Sequence, residues 1–388
     1  MKVFVLLSRV PYPLEKGDKL RAYHHIRELS KKHEVILCAL NDIKLHPDAQ
    51  KELSKFCSTI YFIQLSKIRL LWNLFKALFS GIPFQVAYFY QCNTKQKIKQ
   101  LIATHNPDHI FCQLVRVAEY VKDTDIPKTL DYQDVFSKGL ERRIPKASFF
   151  LKFILKAEYK RMLKYENKVF SWFESKIIIS KSDRDYIPHS ENNKIVIIPN
   201  GVDTEYYKPI TKEKEYDLIF SGNMGYPPNV NGVEFLVTKI LPEVWKTYPS
   251  ANLLIAGANP APSVKILQTD KVEVSGWVKD MRDCYAKSKI FIAPMQIGTG
   301  MQNKLLEAMS MQLPCITTSL ANNAINAEPD KEILIGNSAE ELAKAIILML
   351  ANEIKANEIA MNGFALVKNN FSWTTQTSGL LELIENKK

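Results

Sequence analysis

The sequence predicts two consecutive α/β domains, each built on a doubly wound parallel sheet. Three observations lead there. Strand-like apolar runs alternate with helical patterns through residues 1–200. The alternation then restarts, now with glycines at several strand ends. Between the two stretches lies Pro199–Glu215, rich in turn formers and charge, which reads as a linker. Such alternation places parallel strands in the middle and helices on both faces. A chain of 388 residues is long enough to bury two cores.

In the first half the strand-like runs are Lys2–Leu7, Glu34–Leu40, Thr59–Leu65, His109–Gln113, Lys128–Gln133, Lys176–Ser180 and Lys194–Pro199. Helical spacing of apolar residues marks Arg21–Lys32, Thr94–His105 and Phe149–Phe173 between them. In the second half, Asp217–Ser221, Asn252–Ala256, Lys271–Ser275, Lys289–Pro294, Pro314–Thr318 and Glu332–Ile335 read as strands. Val230–Tyr248, Met281–Lys287, Asn303–Met311 and Ala339–Asn352 read as helices. Ligands of such sheets bind beyond the carboxyl ends of the strands, so two facing sheets predict a cleft between domains. The expected domains are 1–203 and 204–370, followed by a final segment, 371–388.

Composition is that of a globular protein, 46% hydrophobic and 24% charged. The net charge of +11 is uneven. Residues 1–200 hold 34 Lys+Arg against 20 Asp+Glu, whereas residues 201–388 hold 18 against 21. A basic first half predicts an anionic partner. Nucleic acid is the weaker candidate, because no zinc-finger spacing, RNP-type aromatic motif or helix-turn-helix signature is present. An anionic membrane surface is the other. Lys67–Phe84, KIRLLWNLFKALFSGIPF, is apolar and basic, and Lys138–Lys176 holds eleven Lys+Arg interleaved with aromatics. These stretches read either as interfacial helices or as core helices with a solvated basic face. The six cysteines include no C-x-x-C pair, and Met1-Lys2 runs at once into a strand pattern. Both point to free thiols and no signal peptide, hence a cytoplasmic protein peripheral on the inner face of the membrane.

The richest segment is Gly298-Thr299-Gly300-Met301-Gln302-Asn303-Lys304-Leu305-Leu306-Glu307. It follows a strand, turns on two glycines and enters a helix carrying Lys304 and Glu307 on one face. Free N–H groups at a helix start favour an anion, and a lysine adds a point charge. A carboxylate one turn deeper can accept both hydroxyls of a ribose. Gly222 and Asn223 end another strand, Gly257 the next, and Gly276–Asp280, with Val278, a third. Four strand ends of one sheet converge on one side. In the first half, Gly17 with Asp18, Lys19 and Arg21 follows the first strand. Asp131 and Asp134, Gln113 and Arg116 end two others, and His24 and His25 lie in the first helix. Asp131, as a general base or hydroxyl ligand, and Arg21, as a charge near the acceptor, are read as catalytic together with Lys304 and Glu307; Asp134 reads equally well as a helix cap. No HExxH, Walker A or GxSxG sequence is present, so no metal or other cofactor is expected.

The chain resembles GT-B glycosyltransferases of the family 4 or group 1 type, including a subgroup of sugar transferases tied to exopolysaccharide synthesis. The resemblance rests on PYPLEKGDKLRAYHHIREL (Pro11–Leu29), IPNGVDTEYYKP (Ile198–Pro209), FSGNM (Phe220–Met224), LLIAG (Leu253–Gly257), VSGWVKD (Val274–Asp280) and Phe291–Thr318. It implies two Rossmann-like domains facing a cleft. It implies transfer from a nucleotide-diphosphate sugar, bound mainly by the second domain, to a glycan or lipid-linked acceptor, with retention and without metal. By that likeness Glu307 holds the ribose, and Gly300, Met301 and the helix start meet the diphosphate. Gly17 lines the first loop, Val278 meets the base, and Phe371–Asn386 crosses back. Two positions depart from the pattern. Thr299 stands where the first of two glutamates is usual, and Asn223 and Asn229 replace an Arg-and-Lys phosphate pair. Lys304 is therefore expected to neutralise the leaving diphosphate. The competing readings are a nucleotide-sugar epimerase or hydrolase on the same fold and a non-catalytic nucleotide-sugar or glycan-binding module.

Overall fold

A computed structural model describes residues 1–14, 16–145, 147–297 and 301–386. The chain forms two compact units: Met1–Pro199 together with the stretch from Thr377, and Asn200–Gln376. The first unit holds a seven-stranded sheet of order β3-β2-β1-β4-β5-β6-β7. Its strands are β1 (Lys2–Leu7), β2 (Glu34–Asn41), β3 (Thr59–Gln64), β4 (His109–Gln113), β5 (Lys128–Gln133), β6 (Ser175–Ile178) and β7 (Val196–Ile197). The second unit holds a six-stranded sheet of order β10-β9-β8-β11-β12-β13. These strands are β8 (Tyr216–Ser221), β9 (Leu253–Ala256), β10 (Val272–Gly276), β11 (Ser288–Ala293), β12 (Cys315–Thr317) and β13 (Leu334–Ile335). Every named pairing is parallel.

Strands covered by helices on both faces need apolar side chains in both directions, and the central strands supply them. From Val3 to Leu7 and from Val35 to Leu40 every residue is buried. In each sheet the strand order reverses once, between β1 and β4 and between β8 and β11. Loops leaving the strands on either side of such a reversal part to opposite faces and leave a crevice.

The units divide at 199/200 and 376/377, where the sequence reading places its boundaries at 203 and 371. Backbone pairing explains the difference. Val202 N–H donates to the Phe371 carbonyl at 2.8 Å, and Val202 bridges Ser372 in parallel. Residues 200–203 and 371–376 are thus tied together inside the second unit. The single helix expected over Val230–Tyr248 is instead three segments: Pro227–Phe235, a π-helical turn Leu236–Ile240, and Leu241–Trp245. Pro242 lacks an N–H and its ring crowds the carbonyl four residues back, which the wider turn accommodates. Among the described residues, no helix is long and apolar enough to cross a membrane.

Candidate active site

The crevice of the second sheet lies where β8 and β11 end. Gly222 follows β8 and is held at φ +143°, a backbone state that glycine tolerates best. Asn229, on the helix Pro227–Phe235, is buried and donates through Nδ2 to the Asn223 carbonyl at 2.9 Å. Asn229 then presents its Oδ1 to Lys304 Nζ. Lys304 stands in the first turn of the helix Asn303–Ser310. Its ammonium also lies 4.5 Å from the centre of the Phe220 ring and 3.7 Å from Met295 Sδ. An amide oxygen, a ring face and a thioether hold a cation weakly. Burial pushes the Lys304 ammonium down to about 7, with Glu307 as the nearby charge that opposes the shift.

Glu307 lies one turn on. Tyr285 donates its hydroxyl to Glu307 Oε2 at 2.9 Å, while Ser221 Oγ lies 2.8 Å from the same hydroxyl. Tyr207 also hydrogen-bonds this carboxyl, which burial pushes up to about 7. Lys304 and Glu307 are thus poised oppositely: the lysine is easily neutralised and the carboxyl easily protonated. An arriving polyanion favours the charged lysine, and hydroxyl donors favour the carboxylate.

The neighbouring strand ends are packed tightly around this pair. Gly257, after β9, has φ +143°, and a Cβ there would lie 1.7 Å from the Gly222 carbonyl oxygen. Gly257→Ala is expected to destabilise the second unit by roughly 3 kcal/mol or more. Gly139→Ala, in an exposed helical position with nothing within 4 Å of the new Cβ, should be neutral or stabilising. Chemical denaturation of both variants checks this, and equal midpoints would contradict it. Asn223 is exposed, and its Oδ1 accepts from Gly225 N–H at 2.9 Å. Met301 packs partly buried against the second core. Val278 is half-buried, beside an exposed Trp277. Asp280 caps the helix Met281–Ala286 and pairs with Arg282. Asn303 Oδ1 is a buried acceptor with no hydrogen-bond partner among the described residues, and Gln302 precedes it as the N-cap position. Gly298, Thr299 and Gly300 lie outside the described residues.

The first unit corrects two expectations. Arg21 and Asp131, both read as catalytic, have no exposed side-chain surface and pair with each other. Arg21 Nε reaches Asp131 Oδ2 at 2.6 Å and Nη2 reaches Oδ1 at 3.3 Å. Arg21 Nη1 also donates to the Pro199 carbonyl at 3.3 Å. A pair satisfied internally and closed to solvent cannot touch a substrate, so its role is structural. Gly17 starts the helix Gly17–Leu29 rather than sitting in a strained loop, and a Cβ there would meet nothing within 4 Å. His24 and His25 are buried in that helix. Asp134 accepts from the adjacent Val135 N–H at 2.8 Å. Gln113 donates to the Asp18 carbonyl at 3.0 Å.

Tyr285 and Tyr207 are the residues that sequence reasoning missed. Tyr285 reads as an ordinary core aromatic on a short helix; Tyr207 lies within the EYYKP motif, which carried a signal without a role. Among the described residues, no group of three or more His, Cys, Asp and Glu is placed to hold a metal ion.

Residues 215–352 match the protein family described as Glycosyl transferases group 1. A protein of the cps region of Klebsiella pneumoniae, known only as a 44.6 kDa uncharacterized protein, is 23% identical over 95% of this chain and 96% of its own length. A phosphatidyl-myo-inositol mannosyltransferase of Propionibacterium freudenreichii is 25% identical over 55% of this chain and 57% of its own length. Two solved structures share the fold end to end. HepE of Anabaena, in complex with UDP and glucose, superposes with a TM-score of 0.70 at 14% identity, covering 100% of both chains. Sucrose-phosphate synthase of Thermosynechococcus elongatus gives 0.69 at 15% identity, covering 100% of this chain and 99% of its own.

Proposed function

This chain carries a group 1 glycosyltransferase domain on a GT-B fold, and from that premise we propose that it moves a hexose from a nucleoside-diphosphate sugar to a glycan or lipid-linked acceptor. Transfer proceeds with retention and without a resident metal or other cofactor. The observation that carries this reading is the Lys304–Glu307 pair at the strand reversal of the second sheet. Lys304, held among the described residues by Asn229, Phe220 and Met295, can exchange those contacts for a diphosphate. Glu307, fixed by Tyr285 and Tyr207, accepts the ribose hydroxyls. Asn303 Oδ1 and the amides at the start of its helix complete the polar lining.

In the reaction the bond from the anomeric carbon to the diphosphate breaks, and a bond to the acceptor oxygen forms on the same face. The acceptor proton passes to the departing phosphate. Positioning and charge stabilisation do the work, so no protein nucleophile is required. The complexes of HepE with UDP, glucose and UDP-glucose support a nucleotide-sugar donor. The Klebsiella relative's place in a cps region supports a role in surface polysaccharide synthesis.

A thermal-shift panel of ADP, GDP, UDP and their sugars tests the donor site. The cognate ligand at a hundred times its dissociation constant should stabilise by about 2.7 kcal/mol. Glu307→Gln should weaken the nucleoside diphosphates and leave inorganic pyrophosphate unaffected. Turnover should be unchanged by EDTA. Absence of any nucleotide shift would remove the proposal.

A further inference from the structure

Two helices of the first unit hold apolar side chains out in solvent. In Lys67–Ser80 only Leu70 and Ala77 are buried, seven apart and so on one narrow stripe. The remaining faces present Ile68, Leu71, Trp72, Phe75 and Phe79, which are 82, 68, 57, 53 and 79% exposed. Phe149–Phe170 begins the same way. Phe149, Phe150, Phe153 and Ile154 are 70, 82, 61 and 52% exposed, and burial starts only at Leu155. The helices are neighbours: Arg161 donates to the carbonyls of Ala77 and Leu78, each at 2.9 Å. Large apolar patches of this kind mark an interaction surface.

Charge selects the occupant. From Leu53 to Pro107 the chain contains no Asp or Glu, and Lys67, Arg69 and Lys76 are exposed among the aromatics. Lys156 and Lys160 are likewise exposed on the second helix. A second copy of this chain would set these cations against themselves. Anionic headgroups would neutralise them while the aromatics enter the acyl boundary.

A cavity of about 380 Å³ lies between these helices and the ends of β1 and β4, where the order of the first sheet reverses. Its lining includes the apolar Leu74, Phe84 and Ile154 and the polar Arg9, Arg116 and Gln85. Arg116 stacks 4.6 Å above the Phe136 ring and donates to Gln85 Oε1 at 2.9 Å. The two carboxyls in the cavity already have partners. Asp42 accepts from Tyr88, and Glu158 accepts from the Phe84 N–H, both at 2.7 Å. A second cavity of about 530 Å³ shares Arg9 and adds Lys16, Lys19 and Lys44.

We propose that this face docks on an anionic lipid bilayer and that the cavity takes a lipid phosphate from it as acceptor, an unprotonated phosphate oxygen bonding to the anomeric carbon as the bond to the nucleoside diphosphate breaks. The chain lies along Leu74, Phe84 and Ile154, and the phosphate sits between Arg9 and Arg116. Only the word acceptor rests on the transferase reading; docking stands without it.

Flotation with vesicles tests the face. The protein should float with phosphatidylcholine vesicles containing phosphatidylglycerol and stay at the bottom with phosphatidylcholine alone. Lys67→Gln, Arg69→Gln and Lys76→Gln together should lower partitioning by about a hundredfold, roughly fivefold per cation. Phe75→Glu with Phe79→Glu should abolish it. Trp72 emission should shift blue on binding, a change missing in Trp72→Phe. In thermal shift, farnesyl phosphate should stabilise the protein, whereas inorganic phosphate and farnesol should not, and Arg116→Gln should remove the effect. Nucleotide shifts should survive in every variant, which proves folding and separates this idea from the donor reading. Wild-type protein left at the bottom with anionic vesicles would overturn docking. So would a dimer in sedimentation that Phe79→Glu splits. Inorganic phosphate matching farnesyl phosphate, or a farnesyl phosphate shift untouched by Arg116→Gln, would overturn the acceptor.

Discussion

Replacing Lys304 by alanine should lower turnover by a hundred- to a thousandfold, about 3–4 kcal/mol of lost transition-state stabilisation, while leaving the fold at least as stable. The two effects have one cause. Burial disfavours the ammonium, so its removal relieves a cost of folding; the departing diphosphate loses its cation. Steady-state kinetics beside thermal denaturation checks both, with exposed Lys279→Ala as the comparison. Near-normal turnover in Lys304→Ala would defeat the assignment. The pH dependence follows from the same burial. A lysine lowered from 10.5 to about 7 carries its charge below about 7 and loses it above. Glu307, raised to about 7, is ionised above that value and protonated below it. Nucleoside diphosphate affinity should therefore peak near neutrality and fall on the alkaline side by up to about tenfold per pH unit. Arginine stays charged throughout, so Lys304→Arg should flatten the alkaline limb and keep the acidic one. Isothermal titration across pH 6–9 reads both limbs.

Asp131→Ala should destabilise the protein by about 3–5 kcal/mol, because it removes the carboxylate that faces the Arg21 guanidinium in a site without exposed surface. For a unit of this size that corresponds to a fall of roughly 10 °C in the unfolding midpoint. Arg21→Met with Asp131→Leu, which removes both charges, should recover most of the loss. Calorimetry of the single and double variants decides. A double variant no more stable than Asp131→Ala would mean that the pair's hydrogen bonds, including that to Pro199, outweigh its desolvation. Nucleotide binding should persist in each folded variant, since the pair lies in the other unit.

What was legible in the sequence was what depends on near neighbours. Strands β1, β4 and β5 could be bounded to the residue because each has a short apolar centre set between turn formers or helical patterns. The segment proposed to hold phosphate and ribose was equally local: strand and helix follow closely in the sequence, and Lys304 and Glu307 share a face by spacing alone. Contacts between distant segments were not legible. Arg21 and Asp131, 110 residues apart, each looked like an unspent charge at a strand end. Only the fold shows that they spend it on each other. Tyr285 reaches Glu307 across 22 residues and has no local pattern to betray it. The π-turn before Pro242 was hidden because apolar periodicity continues through it.

The first unit's discontinuity sets an order of events during synthesis. Leu380 and Ile384 are fully buried in the same core cluster as Val3, Leu37 and Phe111, and Gly379 packs on Ile198. That core cannot close until the ribosome has read through Asn200–Gln376, on the order of ten to thirty seconds at ordinary elongation rates. The second unit, uninterrupted in sequence, can fold in that interval. For its duration the nascent first unit exposes an open core on one face of its sheet while its aromatic helices lie on the other, the kind of surface that chaperones engage.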